Sequence, residues 1–183
     1  GLNTHYGHEF DFHQIRTYTQ FQKQVPIRTY EGFYPHIDQL LRGQQGVLWS
    51  APTRWFAKSS GTTNDRSKFI PVPSASLNGN HYRAGRDLLA TYLDNYPDSR
   101  MLAGKSLSLG GSLTALPDNP GVRAGDISAV IIRNLPWFYE GRRAPSRDTA
   151  LLPDWDTKVE AMAREVRHAD IRAMAGVPTW AVV

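Results

Sequence analysis

The chain contains no cysteine. That removes disulfides, thiolate metal ligands and cysteine nucleophiles together. No apolar run approaches the roughly 18 residues a membrane-spanning helix needs, so no membrane partner is expected. The start, Gly1 to His13, lacks a basic patch followed by an apolar stretch, and no secretory signal is legible there. These absences fit a cytoplasmic protein, and that compartment is the expectation. Internal repeats and low-complexity tracts are absent too. Net charge is +4, but the basic residues are spread along the chain, with one small cluster at Arg142, Arg143 and Arg147. No lysine/arginine block with interleaved aromatics occurs, so no nucleic-acid partner is expected.

Familiar catalytic patterns fail on spacing. Gly104-Lys105-Ser106 resembles the end of a Walker loop, which requires a glycine five residues before its second glycine; position 99 is Ser99. Gly61 is followed five residues later by Arg66, so that stretch is not a Walker loop either. Neither G-x-G-x-x-G nor G-x-S-x-G is present. His5, His8 and His13 lie close together, but without H-E-x-x-H and near a terminus they make a poor preorganised metal site. No protein metal site is expected.

What the chain does have is Ser59-Ser60-Gly61-Thr62-Thr63-Asn64-Asp65-Arg66-Ser67-Lys68. Hydroxyls, a glycine and a closing lysine can wrap a polyphosphate. Glycine lets backbone N–H groups approach oxygens, and lysine adds positive charge. By composition alone a solvated surface loop is the favoured reading. Apolar strand-like segments bracket the run, however, and place it between core elements. Asp65 opposes an anion; Arg66 offsets it.

The 183 residues suit one domain of mixed α/β class with several helices. Up to about Gly46 the pattern reads as short helices. Thr29 would cap one bearing Tyr30, Phe33, Tyr34, Ile37, Leu40 and Leu41 on a face, with Gly43 as its stop. Pro35 predicts a kink or a later start. Trp49–Phe56 has strand-like composition broken by Pro52, and Lys68–Val72 reads as a short strand closed by Pro73. Ser74 would cap a long helix ending before Pro97, its period disturbed at Asn78 to Asn80. Met101–Leu109 reads as a strand, and Leu116–Gly125, with two prolines and two glycines, as a loop. Ile127–Leu135 fits helix or strand, with Asp126 as a cap for the former. Asp154 would cap a helix carrying Trp155, Val159, Met162, Ala163 and Val166. The chain finishes in Trp180-Ala181-Val182-Val183 without a polar, frayed end, which predicts a truncated polypeptide.

The hydroxyl-rich run resembles the first core motif of the acyl-adenylate-forming superfamily, whose loop ends in lysine. Phe21-Gln22-Lys23-Gln24-Val25-Pro26-Ile27-Arg28-Thr29-Tyr30-Glu31 resembles the "VPIxxYE" segment of one branch. That branch is the Gretchen Hagen auxin-responsive family of acyl acid–amido synthetases. Arg133-Asn134-Leu135-Pro136-Trp137 and Gly176-Val177-Pro178-Thr179-Trp180 are similar to segments of its bacterial members, in the same order. Four ordered segments span nearly the whole chain.

The resemblance implies the N-terminal portion of the large domain of an adenylate-forming enzyme, with residues 1–183 a single partial domain. It implies an ATP-dependent ligase that adenylates a small carboxylic acid and transfers the acyl group to an amino acid, with ATP and Mg²⁺ as cofactors. Ser59, Ser60, Gly61, Thr62 and Thr63 would cradle phosphates and Lys68 would offset charge on pyrophosphate. Ser128 and Arg133 lie where, on the resemblance, an acyl pocket would begin; a structural role is open for both. The sequence departs from the family at Asn64 to Ser67, where a glycine often stands. The later family motifs have no counterpart here. The piece alone is therefore expected to be inactive, and to self-associate through surface left exposed by truncation. A ligase acting on a thiol, as in acyl-CoA formation, and a non-catalytic binding or scaffold protein are the alternatives.

Overall fold

The computed structural model describes residues 1–59 and 67–181. Its first section is helical, with α1 (His5–Glu9), a 3-10 turn at Phe12–Gln14, α2 (Tyr18–Gln24) and α3 (Tyr30–Leu41). Thr4 caps α1 by accepting from the Gly7 amide. Thr17 and Gln20 form a reciprocal capping box on α2. α3 starts directly after Thr29 and runs through Pro35, so no later start occurs. Proline deprives only the Glu31 carbonyl of its helical donor. Both residues are exposed, which lets water take that place. Gly43 ends the helix at φ +91°. Its amide bonds to Leu40 and the Gln44 amide to Gln39, the paired closure that favours glycine at this position.

The strands β1 (Trp55–Ser59) and β2 (Lys68–Pro71) form an antiparallel hairpin. β1 begins later than the expected Trp49, because Pro52 interrupts the run and Gln45 Oε1 accepts from the Thr53 amide at 2.8 Å, holding the preceding segment as a turn. A long helical rod follows as α4 (Ser74–Ser76), a π-turn at Leu77–His81, and α5 (Tyr82–Asn95). The π-turn falls where Asn78-Gly79-Asn80 breaks the apolar period. Pro73, not Ser74, occupies the cap position.

A 3-10 turn at Met101–Ala103 precedes β3 (Lys105–Ser108), a shorter strand than expected. β4 (Leu113–Leu116) and β5 (Asn119–Gly125) follow. The expected loop over Leu116–Gly125 is thus a strand. Local composition is overruled by pairing: Arg123–Gly125 bond in parallel to Trp55–Ala57. Pro120 and Gly121 fall in a register shift against β4, where the ladder needs neither amide. Beyond lie α6 (Ile127–Asn134), α7 (Trp137–Glu140), β6 (Arg143–Ala144), α8 (Arg147–Ala150), α9 (Trp155–Val166) and β7 (Ile171–Ala175). Asp154 caps α9 by accepting from Thr157 at 2.9 Å. Asp126 stands at the cap position of α6 but bonds elsewhere.

The strands form two sheets, ordered β2-β1-β5-β4 and β6-β3-β7, the second with parallel pairs. Alternation on β1 divides the core. Phe56 points to the α3 side, with Ile37, Leu40, Val47, Val122 and Ala124. Ala57 points the other way, to Val72, Leu77 and Val130. Among the described residues no helix is long and apolar enough to cross a membrane.

Candidate functional site

Ser59 and Lys68 are register partners at the connected end of the β1–β2 hairpin, where β1 stops and β2 starts. The hydroxyl-rich run between them therefore has fixed ends one strand spacing apart. Ser60, Gly61, Thr62 and Thr63 lie outside the described residues. Lys68 is well placed to meet an anion. Its side chain is 40% exposed, and its ammonium lies 3.3 Å from Glu31 Oε1. The same ammonium sits 4.9 Å from the centre of the Tyr30 ring. The Tyr30 hydroxyl accepts from the Phe69 amide at 2.8 Å, directly beside Lys68 on β2. The Glu31 carboxyl is held below the usual range, first by its own backbone amide, then by the Thr29 side chain and by Lys68. An ion pair this exposed adds little stability. Its geometric effect is to aim the lysine.

The second part of the site is the edge where the parallel strands β1 and β5 end and α6 begins. Ligands of open sheets with parallel strands gather at such carboxyl ends. Here Gly110-Gly111-Ser112 crosses from β3 to β4. The Gly111 amide donates to Ser128 Oγ at 3.1 Å and the Ser112 amide to Asp126 Oδ2 at 3.3 Å. From the other side, Lys158 Nζ donates to the carbonyls of Gly110 (3.0 Å) and Gly111 (2.8 Å). A Cβ on Gly111 would collide with the Asp126 carboxylate, so this close approach demands glycine. Lys158 is 2% exposed. Burial pushes its ammonium below the usual lysine value, and Asp126 partly restores it.

With this geometry in hand, comparison with known proteins is decisive: the model of the GH3 family N-terminal domain matches residues 2–179. The chain belongs to the GH3 family. The indole-3-acetic acid-amido synthetase GH3.2 of Arabidopsis thaliana is 33% identical over 76 residues, 41% of this chain and 14% of that protein. A solved GH3.15 acyl acid amido synthetase matches the fold with a TM-score of 0.64 at 20% identity, over 87% of this chain and 28% of that one. The AtGH3.15 acyl acid amido synthetase in complex with 2,4-DB matches with a TM-score of 0.59 at 20% identity, over 81% and 27%. The chain thus matches less than a third of the length of each of these relatives.

Within this GH3 chain the candidate residues divide. Ser59 and Lys68 are brought together. Ser128 stands in the first turn of α6 and serves the Gly111 amide. Arg133 is exposed in the last turn of α6. Among the described residues, no hydrogen bond or ion pair links either of them to Ser59 or Lys68. The basic cluster is partly internal: Arg143 is buried against Glu140 at 2.7 Å, and Arg147 meets the same carboxylate at 3.0 Å. No group of three or more His, Asp or Glu among the described residues could hold a metal ion. Sequence reading treated Tyr30 as part of an apolar face and gave Glu31 and Lys158 no role. The signal for Lys158 was available: it lies between Trp155 and Met162 on the buried stripe of α9, where a lysine must find partners.

Proposed function

We propose that this GH3 chain supplies the phosphate grip of an ATP-dependent acyl acid–amido synthetase. The observation that carries the reading is the pairing of Ser59 with Lys68 at the mouth of the serine/threonine/glycine run, with a half-exposed ammonium aimed by Glu31 and Tyr30. Family membership and the names of the relatives support it.

On this reading an oxygen of a small carboxylic acid attacks the α-phosphorus of ATP, and the bond to pyrophosphate breaks. An amino acid amine then attacks the acyl carbon of the adenylate, loses a proton, and AMP departs. Ser59, Ser60, Thr62 and Thr63 donate hydrogen bonds to the β- and γ-phosphates, and Gly61 lets the backbone come close. Lys68 neutralises charge building on the leaving pyrophosphate, exchanging Glu31 for a phosphate oxygen. Mg²⁺ would supply further charge neutralisation at the phosphates. Ser128 and Arg133 belong on this reading to the acid side of the site, Ser128 by fixing the Gly110-Gly111 crossing. Residues 1–183 then form part of the large adenylating domain of a cytoplasmic enzyme. They bind nucleotide without completing turnover, because the aligned region is 28% of the GH3.15 chain.

Calorimetric titration of the 183-residue chain with Mg·ATP tests this. Lys68→Ala should weaken binding by at least about tenfold, the loss of one charge-assisted contact, while the thermal midpoint stays unchanged. Equal affinity in both proteins would sink the phosphate-grip reading. Pyrophosphate release by the chain above the Lys68→Ala background would sink the claim of incomplete turnover.

A further inference from the structure

Glu31 is placed to hold a lysine and able to give it up. It stands in the first turn of α3, where the leading amides have no helical acceptor. Its carboxylate is held first by its own backbone amide and by the Thr29 side chain, and only then by Lys68. The helix dipole favours a negative charge at that end as well. The carboxylate therefore keeps its place whether or not the lysine is beside it. Lys68 is fixed differently. Its backbone is tied by the register pairing with Ser59 and, one residue on, by the Tyr30 hydroxyl, which accepts from the Phe69 amide at 2.8 Å. Its ammonium rides on a flexible stem, on a side chain 40% exposed, 3.3 Å from a carboxylate whose side chain is 67% exposed. Exchange of such a partner costs little, because a pair this exposed is weak. The Tyr30 ring, 4.9 Å from the ammonium, keeps the lysine at the mouth of the hydroxyl-rich run with either partner.

We propose that Glu31 is a built-in stand-in for phosphate, which competes with pyrophosphate for Lys68 and so eases pyrophosphate release once the acid has been adenylated. The inference rests on the phosphate-grip reading and gives one lysine two anionic partners in turn. With the site empty, Lys68 spends part of its time on Glu31, and the apparent affinity for a polyphosphate is scaled down by the fraction of lysine left free. An arriving triphosphate offers more charge than one carboxylate and draws the ammonium across. When the bond to the α-phosphorus has broken, pyrophosphate is no longer tethered to the nucleoside, and the waiting carboxylate takes the ammonium back. A Glu31 that merely steadied the hairpin would act with the opposite sign: its loss would weaken anion binding, whereas loss of a competitor strengthens it.

Calorimetric titration of the 183-residue chain with Mg·pyrophosphate reads that sign. Glu31→Gln keeps a side-chain acceptor in the same place and removes only the charge. It should bind pyrophosphate about two- to fivefold more tightly than the parent, the worth of an exposed ion pair, with an unchanged thermal midpoint. Asp38→Asn alters net charge equally but lies two turns further along α3, paired with Arg42, and should bind as the parent does. In the Lys68→Ala background Glu31→Gln should bring no gain, because the lysine competed for is absent. Equal or weaker binding in Glu31→Gln, a like gain in Asp38→Asn, or a gain that persists without Lys68 would each overturn the proposal. The two readings fail separately. Undiminished pyrophosphate binding in Lys68→Ala, or no binding by the parent, sinks the phosphate grip and the stand-in with it. Weaker binding in Lys68→Ala without a gain in Glu31→Gln sinks the stand-in alone.

Discussion

Lys158 is the residue at which charge and burial conflict most directly. Its ammonium is nearly inaccessible, yet it carries two carbonyls of the β3–β4 crossing. Removing it orphans both acceptors, so Lys158→Met should destabilise the fold by about 1–3 kcal/mol in spite of removing a buried charge. Its titration has a definite sign. Burial lowers the folded value below the ordinary 10.5. Below that lowered value both states are protonated and the penalty is full. Between it and 10.5 the unfolded chain holds more protons, so stability rises with pH across that window. Denaturant unfolding at about pH 8 and about pH 10 should show a gain in the parent relative to Lys158→Met. The variant serves as the reference because it cancels other groups, including Tyr82, whose hydroxyl burial pushes up to about 12. A parallel pH response in the two proteins would show that Lys158 does not titrate there.

At the scale of elements, legibility followed locality. α3 could be read from Tyr30 to Gly43 because its apolar spacing, first residue and glycine stop all lie within one stretch. The ends of the hydroxyl-rich run, Ser59 and Lys68, were readable for the same reason. β5 was not. Its Pro120 and Gly121 argue for a loop, and only pairing with β1, about 70 residues away in sequence, makes it a strand. Lys158 and the Gly110-Gly111 crossing were hidden by similar separation. Gly43 tests how much the local part is worth. Gly43→Ala meets both a left-handed backbone and Asn119 Nδ2 at 2.5 Å, whereas Gly46→Ala at φ +70° meets no atom within 4 Å. Both substitutions should cost about 1–2 kcal/mol in backbone strain. Gly43→Ala should cost more, because Asn119 must also move from its bond to Leu41. Equal unfolding midpoints for the two variants would remove Asn119 from the account.

Across the whole molecule, three carboxylates join elements that the sequence keeps apart. Glu9 on α1 accepts from Arg28 at 3.1 Å and from His36 on α3 at 2.7 Å. Glu140 on α7 accepts from Arg143 on β6 and Arg147 on α8. Glu165 on α9 accepts from the Ser146 amide, the Ser146 hydroxyl and Thr149, holding the start of α8. Burial pushes each carboxyl upward, and hydrogen bonds with nearby arginine or histidine charge outweigh it, so all three lie below the ordinary 4.5. The sign is that of depressed acids. Above 4.5 each contribution is fully present; as pH falls through the folded values the ionised form is lost, and its stabilisation with it. The unfolding midpoint should therefore fall steeply below about pH 4.5. Glu140→Gln should flatten that fall, because one of the linked protons disappears, while lowering stability at neutral pH where Arg143 loses its buried counter-charge. If Glu140→Gln kept the acid slope of the parent, the α7–β6–α8 junction would not be what acid undoes, and the other depressed carboxyls, Glu9 and Glu165 among them, would have to carry the transition.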